Sequence, residues 1–184
     1  MMRVSKHALI FLLTFPVRPY DSACVAGEAL RVGDQAPDFT LPYATKDTID
    51  RAGITLSEVT KGGNVVLAFY PADWSGGCTK EMCTVRDNFA MFGDLGAVVF
   101  GISGDYLFSH HEWAKFHDLQ FPLLSDHDHA VARAYNSFNA QTGQNLRTVY
   151  VVGRDGKIAY VDLVYNPGSD ASFERLRAAL RSLK

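Results

Sequence analysis

The sequence predicts an α/β fold in which helices cover both faces of a mixed central sheet. Two strands buried on both sides are predicted from apolar runs rich in β-branched and aromatic residues, Asn64 to Tyr70 and Ala97 to Ile102. A segment with helical periodicity follows each of these runs. An Asp-Gly turn at Asp155-Gly156 then predicts a hairpin, which adds antiparallel strands to the sheet.

The first half of the predicted domain contains one edge segment, one central strand and one helix. Residues 31–42 predict a loop that leads into a short extended segment, and their prolines confine it to the edge of a sheet. The strand Asn64 to Tyr70 follows. A helix is predicted over residues 78–92, because apolar side chains recur there at spacings of three and four, at Met82, Val85, Phe89 and Phe92.

Shorter elements complete the prediction after the second buried strand. They are a helix over 107–118, a strand over 121–124, a helix over 130–135, the hairpin strands 147–152 and 157–163, and a basic helix over 172–183. Strands alternating with helices are typical of a sheet covered on both faces.

The composition predicts one compact domain and a small-molecule substrate. The chain has 184 residues, 47% of them hydrophobic and 21% charged, which is enough for one full core and too little for a second domain. The net charge of −2 gives no electrostatic reason to expect nucleic acid or an anionic membrane as partner. Three cysteines, an odd number, argue against a framework of disulfides.

Residues 1–30 differ from the remainder and are predicted to be an N-terminal extension or a targeting segment, with the folded domain over 31–184. The apolar run Ala8 to Phe15 is too short to span a bilayer, which takes about 20 residues, and it lies at the low end for a signal peptide. We expect a cytoplasmic protein in the first case and an exported or organellar one in the second. Cys24 lies inside this segment.

The stretch PADWSGGCTKEMC, residues 71–83, follows the first central strand and opens the predicted helix. Its WSGGC portion resembles the WCxxC site of thioredoxin with Ser75 in place of the first cysteine. Open α/β sheets hold their chemistry where a strand ends and a helix begins. Cys78 is expected in the first helical turn, where free N–H groups and the helix dipole favour a thiolate. The alternative is an ordinary buried and inert cysteine.

The pattern Pro71-x-x-x-Ser75-x-x-Cys78 resembles the signature of the peroxiredoxin family, in which the last residue is the peroxidatic cysteine. The resemblance covers most of residues 31–165 and implies a thioredoxin-like fold and a peroxidase without a cofactor. The matching segments are Gly33 to Phe39, Val65 to Pro71, Ser109 to Trp113, Phe121 to Asp126, and Arg147 to Val152 followed by Asp155 to Ile158.

Carried over residue by residue, the resemblance implies a role for each residue of the motif. Cys78 would attack the terminal oxygen of a hydroperoxide and become a sulfenic acid. Ser75 and the backbone N–H of Cys78 would hold the peroxide oxygens, Pro71 would shield the site, and Arg147 would stabilise the thiolate and the developing charge. Ser75 replaces the more usual threonine, which removes the methyl group that restrains the hydroxyl.

Three further charged residues are candidates near this site. Arg86 and Arg133 are the alternatives to Arg147 as the active-site cation. Glu81 lies one helical turn after the cysteine, and two roles stay open for it. It could pair with an arginine of the site, or it could simply favour the helix N-terminus through the dipole.

Cys83 determines which subclass of the peroxiredoxin family the sequence resembles. The spacing of Cys78 and Cys83 is similar to that of the Q-type peroxiredoxins, also called bacterioferritin-comigratory proteins, whose resolving cysteine often lies in the same helix. Five residues of ideal helix separate two Cα atoms by about 8–9 Å. A disulfide needs less than about 7 Å, so the helix must unwind first. The alternative is a one-cysteine enzyme that an external thiol reduces. A resolving cysteine in a C-terminal tail is not expected, since no cysteine follows Cys83.

Other polar clusters predict less. Residues 125–129, Ser-Asp-His-Asp-His, look like metal ligands but are more often helix caps in a solvated turn, so no metal is expected. His110 and His117 lie about two helical turns apart, and a position on a surface helix face explains them as well as a metal site does. The absence of a glycine-rich phosphate loop from the sequence predicts no nucleotide cofactor.

The predicted function is a thiol peroxidase, a monomer or homodimer, that reduces hydrogen peroxide and organic hydroperoxides. Cys78 would form a disulfide with Cys83, and thioredoxin or a similar dithiol would reduce it. A disulfide reductase of the thioredoxin class is disfavoured because its attacking cysteine is replaced by Ser75. From another functional class, a redox sensor or chaperone-like binding protein would expose Phe89 and Phe92 when the helix is oxidised.

Overall fold

A mixed sheet forms the centre of the described part of the protein, as the sequence predicts, and it has seven strands. The computed structural model describes residues 29–184. The predicted N-terminal segment, with Cys24, lies outside the described residues except for Ala29 and Leu30. The proposed boundary between this segment and the folded domain therefore stays a prediction.

The strands of the sheet follow the order β2-β1-β5-β4-β3-β8-β9. Strands β3, β4 and β5 run parallel to one another, and every other neighbouring pair is antiparallel. The strands are β1 Thr40–Ala44, β2 Ile49–Thr55, β3 Asn64–Phe69, β4 Ala97–Ser103, β5 Leu123–Ser125, β6 Phe138–Asn139, β7 Gln144–Asn145, β8 Thr148–Val152 and β9 Ile158–Asp162. Strands β6 and β7 form a separate two-stranded sheet.

Helices cover both faces of the central sheet, which confirms the predicted architecture. They are α1 Leu56–Thr60, α2 Gly76–Asp87, α3 Phe89–Asp94, α4 Leu107–His117, α5 Ala130–Ala134 and α6 Asp170–Ser182. Helices α2, α3, α4 and α6 contribute to one apolar core, and α1 and α5 contribute to the other. Between residues 29 and 184, no helix is both long enough and apolar enough to cross a membrane.

Strand β3 lies between these two cores, and every one of its residues is buried. Val66 and Ala68 face the core that contains α2, while Val65 and Leu67 face the opposite one. Alternate side chains of a strand point to opposite faces, so a strand covered on both sides must be apolar throughout. This explains why the sequence identifies β3 so clearly.

The helix predicted over residues 78–92 is divided into α2 and α3 at Asn88. The Asn88 side chain donates a hydrogen bond to the Thr84 carbonyl at 2.9 Å, and its φ of −114° leaves the helical region. Asparagine competes in this way with the helical hydrogen bonds of the backbone. The apolar periodicity continues across the break because Met82 of α2 and Phe92 of α3 enter the same core.

Several short helices and strands are not predicted from the sequence. Strand β2 and helix α1 were not predicted, and the strand predicted over 121–124 begins later, at Leu123. The sequence of β2, IDRAGIT, does not alternate between apolar and polar residues, and none of its side chains is fully buried. The strand therefore lacks the pattern by which strands are recognised. Strands β6 and β7 have two residues each, too few for a pattern.

The close packing of β4 predicts a strong effect of one added methyl group. A Cβ on Gly101 would lie 2.7 Å from Cδ2 of Leu123 and 3.2 Å from the sulfur of Met82. We expect Gly101→Ala to lower the free energy of unfolding by about 1–3 kcal/mol, as overpacking does. Urea unfolding measures it. Gly93→Ala is the matched control, since a Cβ there meets nothing within 4 Å in helix α3. It should stabilise by about 0.5–1 kcal/mol, and equal effects of the two changes would contradict the packing argument.

Candidate active site

The loop from Pro71 to Ser75 connects the end of β3 to the start of α2. Ser75 is the N-cap residue, with the extended dihedral angles φ −80° and ψ 140°, and the helix begins at Gly76. Cys78 is therefore the third helical residue, within the first turn as predicted. The backbone N–H groups of this turn lack partners inside the helix, and they give it a positive end.

The Cys78 thiol contacts Arg147, which in turn contacts Glu81. Nη2 of Arg147 lies 3.2 Å from the Cys78 sulfur, and Nη1 lies 2.8 Å from Oε2 of Glu81. Cys78 is fully buried, and Glu81 is 1% exposed. Burial alone fits an inert cysteine. A guanidinium group against the sulfur does not, because it stabilises the thiolate.

Sheet register explains why Arg147 reaches the cysteine. Strand β8 pairs antiparallel with β3, and Thr148 at the start of β8 lies opposite Phe69 at the end of β3. Arg147 immediately precedes β8 and therefore lies beside the loop that leads to α2. The two other candidate arginines are engaged elsewhere. Arg86 pairs with the side chain of the neighbouring Asp87, and Arg133 lies over the ring of Phe138.

The Glu81 carboxyl and the Arg147 guanidinium affect each other's protonation. Burial raises the pKa of Glu81 to about 7, and Arg147 opposes this shift. Partial burial acts to lower the pKa of Arg147, but Cys78 and Glu81 outweigh it and raise the value above the ordinary one. Of the two roles left open for Glu81, the structure contains the ion pair with an arginine.

Gly77 provides the space that the Arg147 guanidinium occupies. A Cβ on Gly77 would lie 2.7 Å from Nη2 of Arg147, whereas a Cβ on Gly76 would meet nothing within 4 Å. A residue without a Cβ can let a small substrate approach the backbone closely. The structure gives Gly77 another role, since it admits the arginine.

Ser75 and Pro71 lie at the site but do not contact the cysteine sulfur through any hydrogen bond within residues 29–184. The Ser75 hydroxyl donates to the Ala72 carbonyl at 3.2 Å and does not cap the helix. A role as peroxide ligand would require rotation of this hydroxyl, which serine allows because it lacks the methyl of threonine. Pro71 is half-buried at the start of the loop, and its shielding role stays a prediction.

Cys83 lies in the same helix as Cys78, and both are free thiols. Cys83 is half-buried, and its sulfur lies 3.9 Å from Nδ1 of His117 at the end of α4. The helical spacing places the two Cα atoms about 8–9 Å apart. A bond between the two sulfurs therefore requires a change in the helix.

A buried network centred on Asp73 lies beneath the loop and is not predicted from the sequence. The carboxylate of Asp73 accepts hydrogen bonds from the hydroxyl of Tyr70 at 2.8 Å and that of Ser109 at 2.7 Å. Nδ1 of His110 lies 2.9 Å from the same carboxylate. His110 is fully buried, so a surface position is wrong for it. The spacing of His110 to the apolar Trp113, three residues along one helix face, is the signal that indicates burial.

The network also fixes the backbone of the active-site loop. The N–H of Asp73 donates to Oδ2 of Asp105 at 2.8 Å, and Asp105 accepts a second hydrogen bond from the Ser103 hydroxyl. Trp74 has a positive φ of 61°, a conformation that is unfavourable for a bulky residue. Its indole N–H donates to Ser109 at 3.3 Å. These contacts hold the strained loop against β4 and α4.

The segment from Ser125 to His129 caps a helix, as the alternative to a metal site suggests. Both carboxylate oxygens of Asp126 accept N–H groups of α5, from Val131 at 3.1 Å and Ala132 at 2.7 Å. No group of three potential metal ligands occurs in the part of the chain that the structure describes.

Comparison with known proteins gives a consistent result. The chain is 41% identical to Peroxiredoxin Q, chloroplastic, of Oryza sativa subsp. japonica over 133 residues, which cover 70% of this chain and 57% of the rice protein. It is also 41% identical to Peroxiredoxin Q, chloroplastic, of Sedum lineare over 138 residues, which are 73% of this chain and 68% of the relative. The match thus spans little more than half of the rice protein.

A solved structure confirms the thioredoxin-like fold and agrees with these relatives. The structure is similar to the crystal structure of Peroxidoxin BcpB from Mycobacterium tuberculosis, with a TM-score of 0.74 and 31% identity. The superposition covers 84% of this chain and 99% of the mycobacterial one. The model of the AhpC/TSA family matches residues 32–161, well over half of the chain. The chain therefore belongs to the AhpC/TSA family.

Proposed function

We propose that this protein is a thiol-dependent peroxidase that reduces hydrogen peroxide and organic hydroperoxides with Cys78. The observation that carries the proposal is the 3.2 Å contact between the Arg147 guanidinium and a cysteine sulfur in the first turn of α2. A cation and a helix N-terminus both favour the thiolate, which is the nucleophilic form. The peroxiredoxin names of the relatives support the same activity.

The proposed reaction is a displacement at oxygen. The Cys78 thiolate attacks the terminal peroxide oxygen, a sulfur–oxygen bond forms, and the oxygen–oxygen bond breaks. The leaving oxygen takes up a proton as water or an alcohol, and Cys78 becomes a sulfenic acid. The N–H groups of the first helical turn and the guanidinium of Arg147 would stabilise the negative charge on the oxygens. We also propose Ser75 as a ligand of the bound peroxide and Pro71 as its shield.

We propose Cys83 as the resolving cysteine, which requires a local unwinding of α2. The supporting observation is that the helix ends at a break soon after Cys83. It has 12 residues and stops at Asn88, so unwinding its turns would leave α3 as a separate helix. Local openings of this kind cost less than global unfolding. Thioredoxin or a similar dithiol would then reduce the disulfide between Cys78 and Cys83.

The oligomeric state and the compartment belong to this proposal as well. We propose a monomer or a homodimer. A cytoplasmic location fits the odd number of cysteines, which argues against a framework of disulfides. Export or an organelle is the alternative if residues 1–30 are a targeting segment, and N-terminal sequencing of the native protein distinguishes the two.

A chaperone-like or sensing protein is the second candidate, and its supporting feature is weaker. It needs oxidation to expose Phe92 and to expose Phe89 further, although Phe89 is already 37% exposed. Both residues lie in α3, beyond the break, where Phe92 packs on Phe173 and Phe89 stacks on Phe121. Unwinding α2 alone leaves these contacts in place. Repeated turnover with a reductant would favour the peroxidase, whereas a sensor would react only once.

The two cysteines predict different results on substitution. Cys78→Ser should abolish peroxide consumption, because the nucleophile is lost. Cys83→Ser should leave the first oxidation intact and stop turnover supported by thioredoxin. The measurements are peroxide consumption with a thioredoxin system and a peptide map without reductant after one equivalent of peroxide. Activity of Cys78→Ser would contradict the peroxidase proposal. Oxidised Cys78 beside a free Cys83 in the wild type would instead establish the one-cysteine alternative.

The position of Arg147 predicts a contrast between two neighbouring glycines. Gly77→Ala should displace the guanidinium from the sulfur and slow the reaction of Cys78 with peroxide about 10-fold, less than the complete loss of such a donor. Gly76→Ala is the matched control, because its Cβ meets no atom within 4 Å. Stopped-flow oxidation by hydrogen peroxide measures both rates. Equal rates for the two variants would show that the arginine contact does not activate the cysteine.

A further inference from the structure

The second thiol of α2 has its own polar surroundings, which the reaction at Cys78 does not use. The sulfur of Cys83 lies 3.9 Å from Nδ1 of His117, the last residue of α4. Nη1 of Arg86, one turn after Cys83, donates to the main-chain carbonyl of His117 at 2.8 Å. This hydrogen bond fixes the end of α4 beside the turn of α2 that contains Cys83.

The surroundings of His117 keep its imidazole neutral, so that the ring can accept a proton. Burial, and then the nearby Arg86, lowers the pKa of His117 below its ordinary value. The next residue, Asp118, forms an ion pair with Lys46 at 2.7 Å. Three aromatic side chains also lie around the ring, Trp74, Trp113 and Phe116, at centroid distances of 6.4, 5.8 and 4.8 Å.

Arg86 lies one turn after Cys83 in α2, and its guanidinium group is bonded to the main chain of His117, whose ring contacts the Cys83 sulfur. Its pairing with Asp87 and, after the opposing effect of burial, the proximity of Cys83 raise the pKa of Arg86 above the ordinary value. A cation and a neutral base beside one thiol are the combination that converts it to a thiolate. The pair formed by His117 and Arg86 is separate from Arg147 and Glu81, which serve Cys78.

We propose that His117 is the general base of the resolving step, which removes the proton of Cys83 while Arg86 stabilises the resulting thiolate. This inference rests on the proposed function of Cys83. Nδ1 accepts the proton when the neutral ring carries its own proton on Nε2. The contact exists in the folded helix, so the proton transfer precedes the unwinding that brings the two sulfurs together.

The step balances in atoms and electrons. The Cys83 thiolate attacks the sulfur of the Cys78 sulfenic acid, a sulfur–sulfur bond forms, and the sulfur–oxygen bond breaks. The leaving hydroxide takes up the proton that His117 removed and departs as water. The Cys83 sulfur is oxidised and the Cys78 sulfur is reduced, while the peroxide supplied the oxidising equivalents in the preceding step.

The expected size of the effect follows from the ionisation of a thiol. An ordinary cysteine, with a pKa of about 8.5, is about 3% thiolate at pH 7, so complete deprotonation gains at most about 30-fold in rate. We therefore expect His117→Asn to slow disulfide formation about 10-fold at pH 7 and less than about twofold at pH 9, where an unassisted thiol ionises.

The test follows both phases of the reaction in the full chain with hydrogen peroxide. Stopped-flow fluorescence is suited to it, because Trp74 and Trp113 both lie against the His117 ring. The oxidation of Cys78 should keep its wild-type rate in His117→Asn, and only the later phase should slow. His111→Asn is the matched control. It lies on the same helix, and its ring contacts the Thr45 carbonyl instead of a cysteine.

A second measurement does not depend on turnover. In the Cys78→Ser background, the pH dependence of Cys83 alkylation by iodoacetamide, followed by peptide mapping, should move to higher pH when His117→Asn is added. An unchanged alkylation profile, or an unchanged rate of disulfide formation at pH 7, would overturn the role of His117 and leave the peroxidase proposal intact. A wild-type protein whose Cys78 is oxidised without forming a bond to Cys83 would overturn both the resolving role and this inference. If Cys78 did not react with hydrogen peroxide at all, the peroxidase proposal itself would be wrong.

Discussion

One guanidinium group shared by two buried acids is the interaction on which the site depends. Arg147 contacts the Cys78 sulfur through Nη2 and the Glu81 carboxylate through Nη1. Two anions and one cation would leave an uncompensated negative charge in a buried place, which is unfavourable. Because the pKa of Glu81 is raised to about 7 by burial, its carboxyl can take up a proton near neutral pH. The arginine is then free to serve a thiolate.

Three separate features of the fold position the Arg147 guanidinium group. The antiparallel register of β3 and β8 brings the start of one strand to the end of the other, and so places Arg147 beside the loop. The missing Cβ of Gly77 leaves room for Nη2. The network around Asp73 holds the loop itself through Tyr70 and α4. None of the three features is a contact with the sulfur itself, yet each helps to determine where the guanidinium lies relative to it.

The sequence predicts those parts of the molecule whose physics is local. Strand β3 and the position of Cys78 are recognisable because a strand buried on both faces must be apolar, and a cysteine after two glycines opens the next helix. Asn88 breaks a helix whose apolar period continues unaltered, so periodicity alone cannot reveal it. The pairing of Asp73 with His110 joins residues 37 positions apart, a contact that only the tertiary fold creates.

The two thiols of α2 differ in their burial and in the side chain that contacts the sulfur, and the difference suits the two successive roles proposed for them. Cys78 is fully buried against a guanidinium group, which would stabilise the proposed thiolate and cannot leave with the product. Cys83 is half-buried near a neutral imidazole, which can take a proton and return it to the departing hydroxide. A first nucleophile must be ionised before its substrate arrives, and a second need only ionise once the sulfenic acid exists. The helix that holds both thiols apart thus also separates the two proposed steps in time, because the sulfur–sulfur bond cannot form until its turns open.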